Sequence, residues 1–156
     1  MVSFQATVYV TNFDSGTISV IDGLTDKVNI NINGFFDPAG LAYNSNSGKI
    51  YVTNLKPNTV PVVSTSRNEI MATIPVGAAP SGIAYDLDND KIYVANMFSN
   101  DIYIIDGSNN NVVASISVDA HPHGVVYNPA NNDIRSQLRL KHSISHSPVI
   151  TIKNFE

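Results

Sequence analysis

The chain has 156 residues, no cysteine and a formal charge of −4 at pH 7. That length suits one ordinary domain with its own core, and the absence of cysteine excludes disulfides, thiolate metal sites and a cysteine nucleophile. Nine Lys and Arg against thirteen Asp and Glu cannot assemble the basic face that nonspecific nucleic-acid binding requires.

The start of the chain, MVSFQATVYV over Met1–Val10, lacks the basic residues and long apolar run of a signal peptide. No apolar run in the chain approaches the length of a bilayer span. The first predicted strand, VYVTN at Val8–Asn12, opens a unit of residues 7–48. VIDG at Val20–Gly23 ends a later strand and starts a turn, with Asp22 placed to accept from the backbone NH groups that follow. Gly16 and Gly48 fall between strands, where a residue with positive φ is expected to close each hairpin. Pro38, Gly40 and Tyr43 mark the strand that follows.

The second unit, residues 49–90, repeats this order. IYVTN returns at Ile50–Asn54, and Pro80, Gly82 and Tyr85 repeat the earlier columns. Asn58 and Asp90 take the two turn columns, both residue types that tolerate the left-handed region. In KIYVTN, Ile50 and Val52 face one side of the strand while Tyr51 and Thr53 face the other. The third unit, residues 91–132, carries KIYVANM, DIYIID, NVVASISV and HGVVYN, with Asn100 and Asn132 in the turn columns and Asp106 in the place of Asp22. Tyr9, Tyr51 and Tyr93 therefore stand 42 residues apart, as do Pro38, Pro80 and Pro122, and Gly40, Gly82 and Gly124.

Each unit contains four short strands rich in Val, Ile and Tyr, bounded by turn formers. Four antiparallel strands in about 40–45 residues make one blade of a β-propeller, so the fold class is all-β. Strand order is predicted as three strands, four, four, and then a lone strand at Gly124–Tyr127. About three and a half units form a partial propeller over residues 1–134, with open apolar faces at which copies can associate.

From Arg135 onward the period is lost, so residues 135–156 are read as an aberrant tail. Codons permitted for Ile134–Ser147, read one nucleotide out of frame, encode YVANYDSNTVSVI, a close parallel of Tyr9–Ile21. A one-nucleotide frameshift just before Arg135 accounts for that tail.

Candidate chemistry is sparse. His121 and His123, in HPHG, precede a first strand at the mouth of the central channel and are the candidate binding residues. The same columns hold Asp37 and Ala39, then Ala79 and Ser81, so no ring of metal ligands is built from the repeat. His142 and His146 lie in the tail. Asp22 and Asp106 are read as turn caps, Asp88 and Asp90 as an acidic hairpin, and the recurring tyrosines as inter-blade packing. No catalytic residue, metal or cofactor is assigned.

The tetrapeptides Tyr9–Asn12 and Tyr51–Asn54, with NTV at Asn58–Val60 and ATIPVG at Ala72–Gly77, resemble the YVTN-repeat β-propellers. That resemblance implies a surface-layer or exported protein at the cell surface or outside the cell. Near-equal units whose differences sit in loops suit a non-enzymatic scaffold that binds a protein or surface-polymer partner through those loops. The alternative is a lactonase-like hydrolase or a redox-cofactor propeller enzyme.

Overall fold

The structure is a computed structural model that describes residues 6–130, 133–138 and 149–152, with side chains described over 6–130. Its strands are β1 Thr7–Asn12, β2 Thr17–Asp22, β3 Lys27–Asn33, β4 Pro38–Asn44, β5 Lys49–Asn54, β6 Thr59–Ser64 and β7 Glu69–Pro75. They continue as β8 Pro80–Asp86, β9 Lys91–Asn96, β10 Asp101–Asp106, β11 Val112–Ser117, β12 Pro122–Asn128, β13 Asp133–Leu138 and β14 Val149–Ile152. No helix forms among the described residues.

The strands make four antiparallel sheets in sequence order: β1–β3, β4–β7, β8–β11 and β12–β14. Each is a meander, as short hairpin connections dictate. The leading strands β4, β8 and β12 lie next to one another and form the inner rim of the arc. The last strand of a blade is its outer one, and β11 is exposed along most of its length.

The turns obey the residue types available to them. Gly16, Asn58 and Asn100 share one column and take φ of 63°, 65° and 57°. Gly48 and Asp90, in the second column, take 64° and 50°; Asn132 lies outside the described residues. Two further columns are also left-handed: Asp26, Asn68 and Asn110 in the third hairpin, and Asp37, Ala79 and His121 in the crossover between blades. Asp22 caps its turn by accepting from Leu24 N and Thr25 N, and Asp106 accepts from Ser108 N.

Alternation within each strand builds the core between blades. Ile50, Val52 and Val63 pack against Ile18, Val20 and Ile32 of the first sheet. Tyr51, Val60 and Val62, from the opposite face of the same sheet, pack against Ile92, Val94 and Ile105 of the third. Tyr93, Ala95 and Ile102 then face Val125 and Tyr127. Burying such a side chain contributes about 1.5–3 kcal/mol, so neighbouring blades stabilise one another as stacked repeats do.

Close approach of the inner strands explains the glycine column. A Cβ on Gly40 would stand 2.6 Å from the Ser81 carbonyl oxygen, and one on Gly82 would stand 2.6 Å from that of His123. Thr53 bridges the same seam: its Oγ1 accepts from Gly40 N at 2.8 Å and donates to Ser81 O at 2.9 Å.

The sheet does not stop at the lone strand expected from the sequence. β12 pairs with β13, and β13 with β14. Backbone groups make a ladder whatever the side chains, and β13 stands 42 residues beyond β9, in the place of Lys91–Asn96. His142 and His146 lie outside the described residues.

Candidate active site

The end of the arc that carries the hairpins after β1, β5 and β9 also carries the crossovers into β4, β8 and β12. In the second and third blades an asparagine ties the two together. Asn58 Oδ1 accepts from Ala79 N at 2.9 Å, and Asn100 Oδ1 accepts from His121 N at 2.9 Å. The asparagine that closes the hairpin in the left-handed region thus also satisfies the crossover residue, itself left-handed.

His121 is part-buried in this corner. Its Nδ1 lies 3.1 Å from the Met97 carbonyl oxygen, and its ring meets Phe98 edge-on, with centroids 6.1 Å apart and an interplanar angle of 81°. A backbone carbonyl only accepts, so Nδ1 carries the proton and neutral His121 keeps its lone pair on Nε2. A base whose other nitrogen is held this way has a defined tautomer and orientation, the arrangement a general base needs.

His123 is exposed on β12, and its carbonyl oxygen accepts from Ser81 Oγ at 2.9 Å. The two histidines named from the sequence therefore differ in setting: one is fixed by Met97 and Phe98, the other projects from the inner strand. Among the described residues no three His, Asp or Glu side chains group as metal ligands. Ser81 is 7% exposed and its hydroxyl is engaged with a carbonyl. Around this end Phe13, Phe36 and Phe98 are exposed at 46%, 62% and 64%. Lys56 Nζ and Asp37 Oδ2 pair at 3.3 Å at the surface, a contact of small energetic weight.

The opposite end holds a tyrosine network. The Tyr51 hydroxyl donates to Asn110 Oδ1 at 2.7 Å, and Lys49 Nζ reaches Gly107 O at 3.2 Å. Tyr85 OH and Asn44 Nδ2 both donate to Asp90 Oδ1, at 3.1 and 2.7 Å. Burial, with the Asp90 carboxylate beside it, raises the Tyr51 hydroxyl above its ordinary range. Burial and the Asp90 hydrogen bond push Tyr85 up to about 12, and burial with Asp86 nearby does the same for Tyr93. Such tyrosines stay neutral and serve as donors, a structural use.

Sequence reasoning named His121 but not what holds it. The signals were Asn100, in a turn column, and the aromatic Phe98 two residues before it.

Comparison with known proteins places the chain in a family. The arylesterase family model matches residues 16–137. Among solved structures, the Kuenenia stuttgartiensis hydrazine synthase superposes with a TM-score of 0.86 at 28% identity, covering 94% of this chain and 42% of that one. The dihydro-heme d1 dehydrogenase NirN in complex with DHE superposes at 0.73 with 13% identity, over 85% of this chain and 30% of that one; this second likeness shows the fold alone. The chain thus spans less than half the length of these two solved structures. No curated protein sequence matches it. The family match overturns the expectation of a non-enzymatic scaffold: the residues that carry the repeat are those of an enzyme family.

Proposed function

The chain belongs to the arylesterase family, and on that premise we propose that it is a propeller hydrolase of carboxylic esters or lactones. Its YVTN tetrapeptides mark a subtype within that class. The family match across residues 16–137 carries the reading of the reaction; the bond from His121 Nδ1 to Met97 O carries the choice of residue.

Ester hydrolysis needs a water made nucleophilic next to an electrophilic carbonyl carbon. His121 Nε2 takes a proton from water as the oxygen–carbon bond forms. The tetrahedral intermediate then expels the alcohol or phenol oxygen, which leaves with a proton from the imidazolium or from solvent. Nδ1 keeps its own proton throughout, because the Met97 carbonyl holds it. Phe36 and Phe98 offer exposed aromatic surface at the same end, suited to aryl or other apolar groups of a substrate.

The test is hydrolysis of phenyl acetate and of a simple lactone by the purified chain, followed by base uptake at constant pH. Turnover above the buffer rate that falls in His121→Gln supports the proposal. Identical rates with and without protein would sink it.

A further inference from the structure

We propose that the free edge of β1 accepts strand β12 from a second copy of this chain, so that two copies share a blade. Among the described residues β1 pairs only with β2, whereas β5 and β9, its equivalents, are flanked on both sides. Val8 and Val10 are 49% and 40% exposed, although Ile50, Val52, Ile92 and Val94 in the same columns are fully buried. Tyr43 is likewise 52% exposed.

Beside this edge lies a cavity of about 600 Å³ lined by Thr7, Val8 and Tyr9 of β1 and by Leu41, Tyr43 and Ile50. At the next interface the matching place is filled from β4. Ala42 there is 7% exposed, and fully buried Asn44 donates to Asp90. The residues of β12 in those two columns are Val126 and Asn128, and Val126 is 57% exposed. The site thus continues an interface already built twice within the chain.

Register selects the occupant. In complete blades the leading strand sets Leu41 opposite Val52 and Ile83 opposite Val94. It also sets Pro38 opposite Asn54 and Pro80 opposite Asn96. Within one chain β12 meets β13 instead, which places Ser136 opposite Val125 and Leu138 opposite Pro122. β1 offers Val10 and Asn12 for those positions. β12 therefore finds in a second copy's β1 the partner that the repeat prescribes, and β13 is the strand displaced. Exchange of like elements between protomers needs no new interface chemistry.

The chain contains no cysteine, which permits a direct test. Residues directly opposite in an antiparallel pair have Cα atoms about 4.5–5.5 Å apart, within disulfide reach. Val10→Cys and Val125→Cys variants are purified separately, mixed and mildly oxidised. The proposal expects a covalent pair in the mixture at least tenfold above either variant alone. It also expects Ser136→Val, which restores the valine opposite Val125 within one chain, to lower that yield. Because Val10 and Val125 are exposed or part-exposed in the single chain, both variants keep the fold, and their far-ultraviolet circular dichroism checks it. Cross-linking of Val10→Cys with itself would show two β1 edges meeting and overturn the proposal. Equal yields in the mixture and the single variants, or a chain monomeric at every concentration, would overturn it too.

Discussion

The Ser81 hydroxyl donates to the His123 carbonyl oxygen 2.9 Å away, on the inner strand of the following blade. In earlier repeats a threonine makes the bond to that column: Thr11 Oγ1 donates to Ala39 O at 3.0 Å and Thr53 Oγ1 to Ser81 O at 2.9 Å. Ala95 stands where the third threonine would be, so the serine supplies what the alanine lacks. Ser81→Ala is expected to cost about 0.5–1.5 kcal/mol, the net worth of one hydrogen bond. Adding Ala95→Thr in that background should recover most of the loss. Urea midpoints of the two single variants and the double variant measure the coupling; strict additivity would show that the two residues do not serve one carbonyl.

Thr53 is fully buried and serves Gly40 N and Ser81 O together. Thr53→Val keeps the shape but strips both groups of their partner. The expected loss is about 1–3 kcal/mol, since an unsatisfied buried group forfeits its full solvation. Urea unfolding should show a lower midpoint with unchanged slope.

Gly82 leaves no space for a side chain. An added Cβ would meet His123 O at 2.6 Å, Gly124 Cα at 2.8 Å and Val125 N at 2.9 Å, all backbone atoms. Gly82→Ala must therefore push the inner strands apart, at about 1–3 kcal/mol for overpacking. Gly34, whose Cβ would meet only the end of the Ile70 side chain at 3.4 Å, tests a different cost: its φ of 101° penalises any side chain through the backbone. Thermal melts of the two alanine variants separate crowding from backbone strain, because only the first should loosen contacts between β8 and β12.

Repetition made the fold legible. A step of 42 residues placed the strands before any contact was known, and Gly16, Asn58 and Asn100 announced a left-handed hairpin. The crossover column was not legible, because Asp37, Ala79 and His121 share no residue type that signals positive φ. There the conformation is held by hydrogen bonds to other turns, such as the one Ala79 N donates to Asn58 Oδ1. β13 was hidden for a related reason: a ladder of backbone bonds can hold a sequence that has lost the side-chain pattern. His121 could be named, but its Met97 partner is 24 residues away and meets it only once two turns have packed.

The tyrosines predict how the protein responds to alkali. Tyr85 and Tyr93 are pushed up to about 12 from 10.0 by burial and by nearby Asp90 and Asp86, respectively. A pKa raised in the folded state means that folding favours the protonated hydroxyl. Their contribution is complete below pH 10 and is lost as pH rises from there through about 12. The tyrosinate absorbance of Tyr85 and Tyr93 should therefore develop later in native protein than in urea-unfolded protein. Stability should fall across that interval. Superimposable native and unfolded titrations would remove the basis for this dependence.

His121 and Phe98 make separable contributions to hydrolysis if the ring does the chemistry and the phenylalanine contacts substrate. His121→Gln is expected to lower kcat by about 10²–10⁴-fold, the usual worth of a general base, with little change in KM. His123→Gln, altering an exposed side chain that the Met97 carbonyl does not hold, should leave kcat within a few-fold. Phe98→Ala should raise KM for an aryl ester more than for a small aliphatic lactone, because only the former presents a ring to stack. Because Nε2 would accept the proton from water in the step that forms the oxygen–carbon bond, the loss in His121→Gln should persist at saturating substrate. If His121→Gln keeps the parent kcat, the base lies elsewhere on the arc, and the Met97 bond is a turn contact with no part in the reaction.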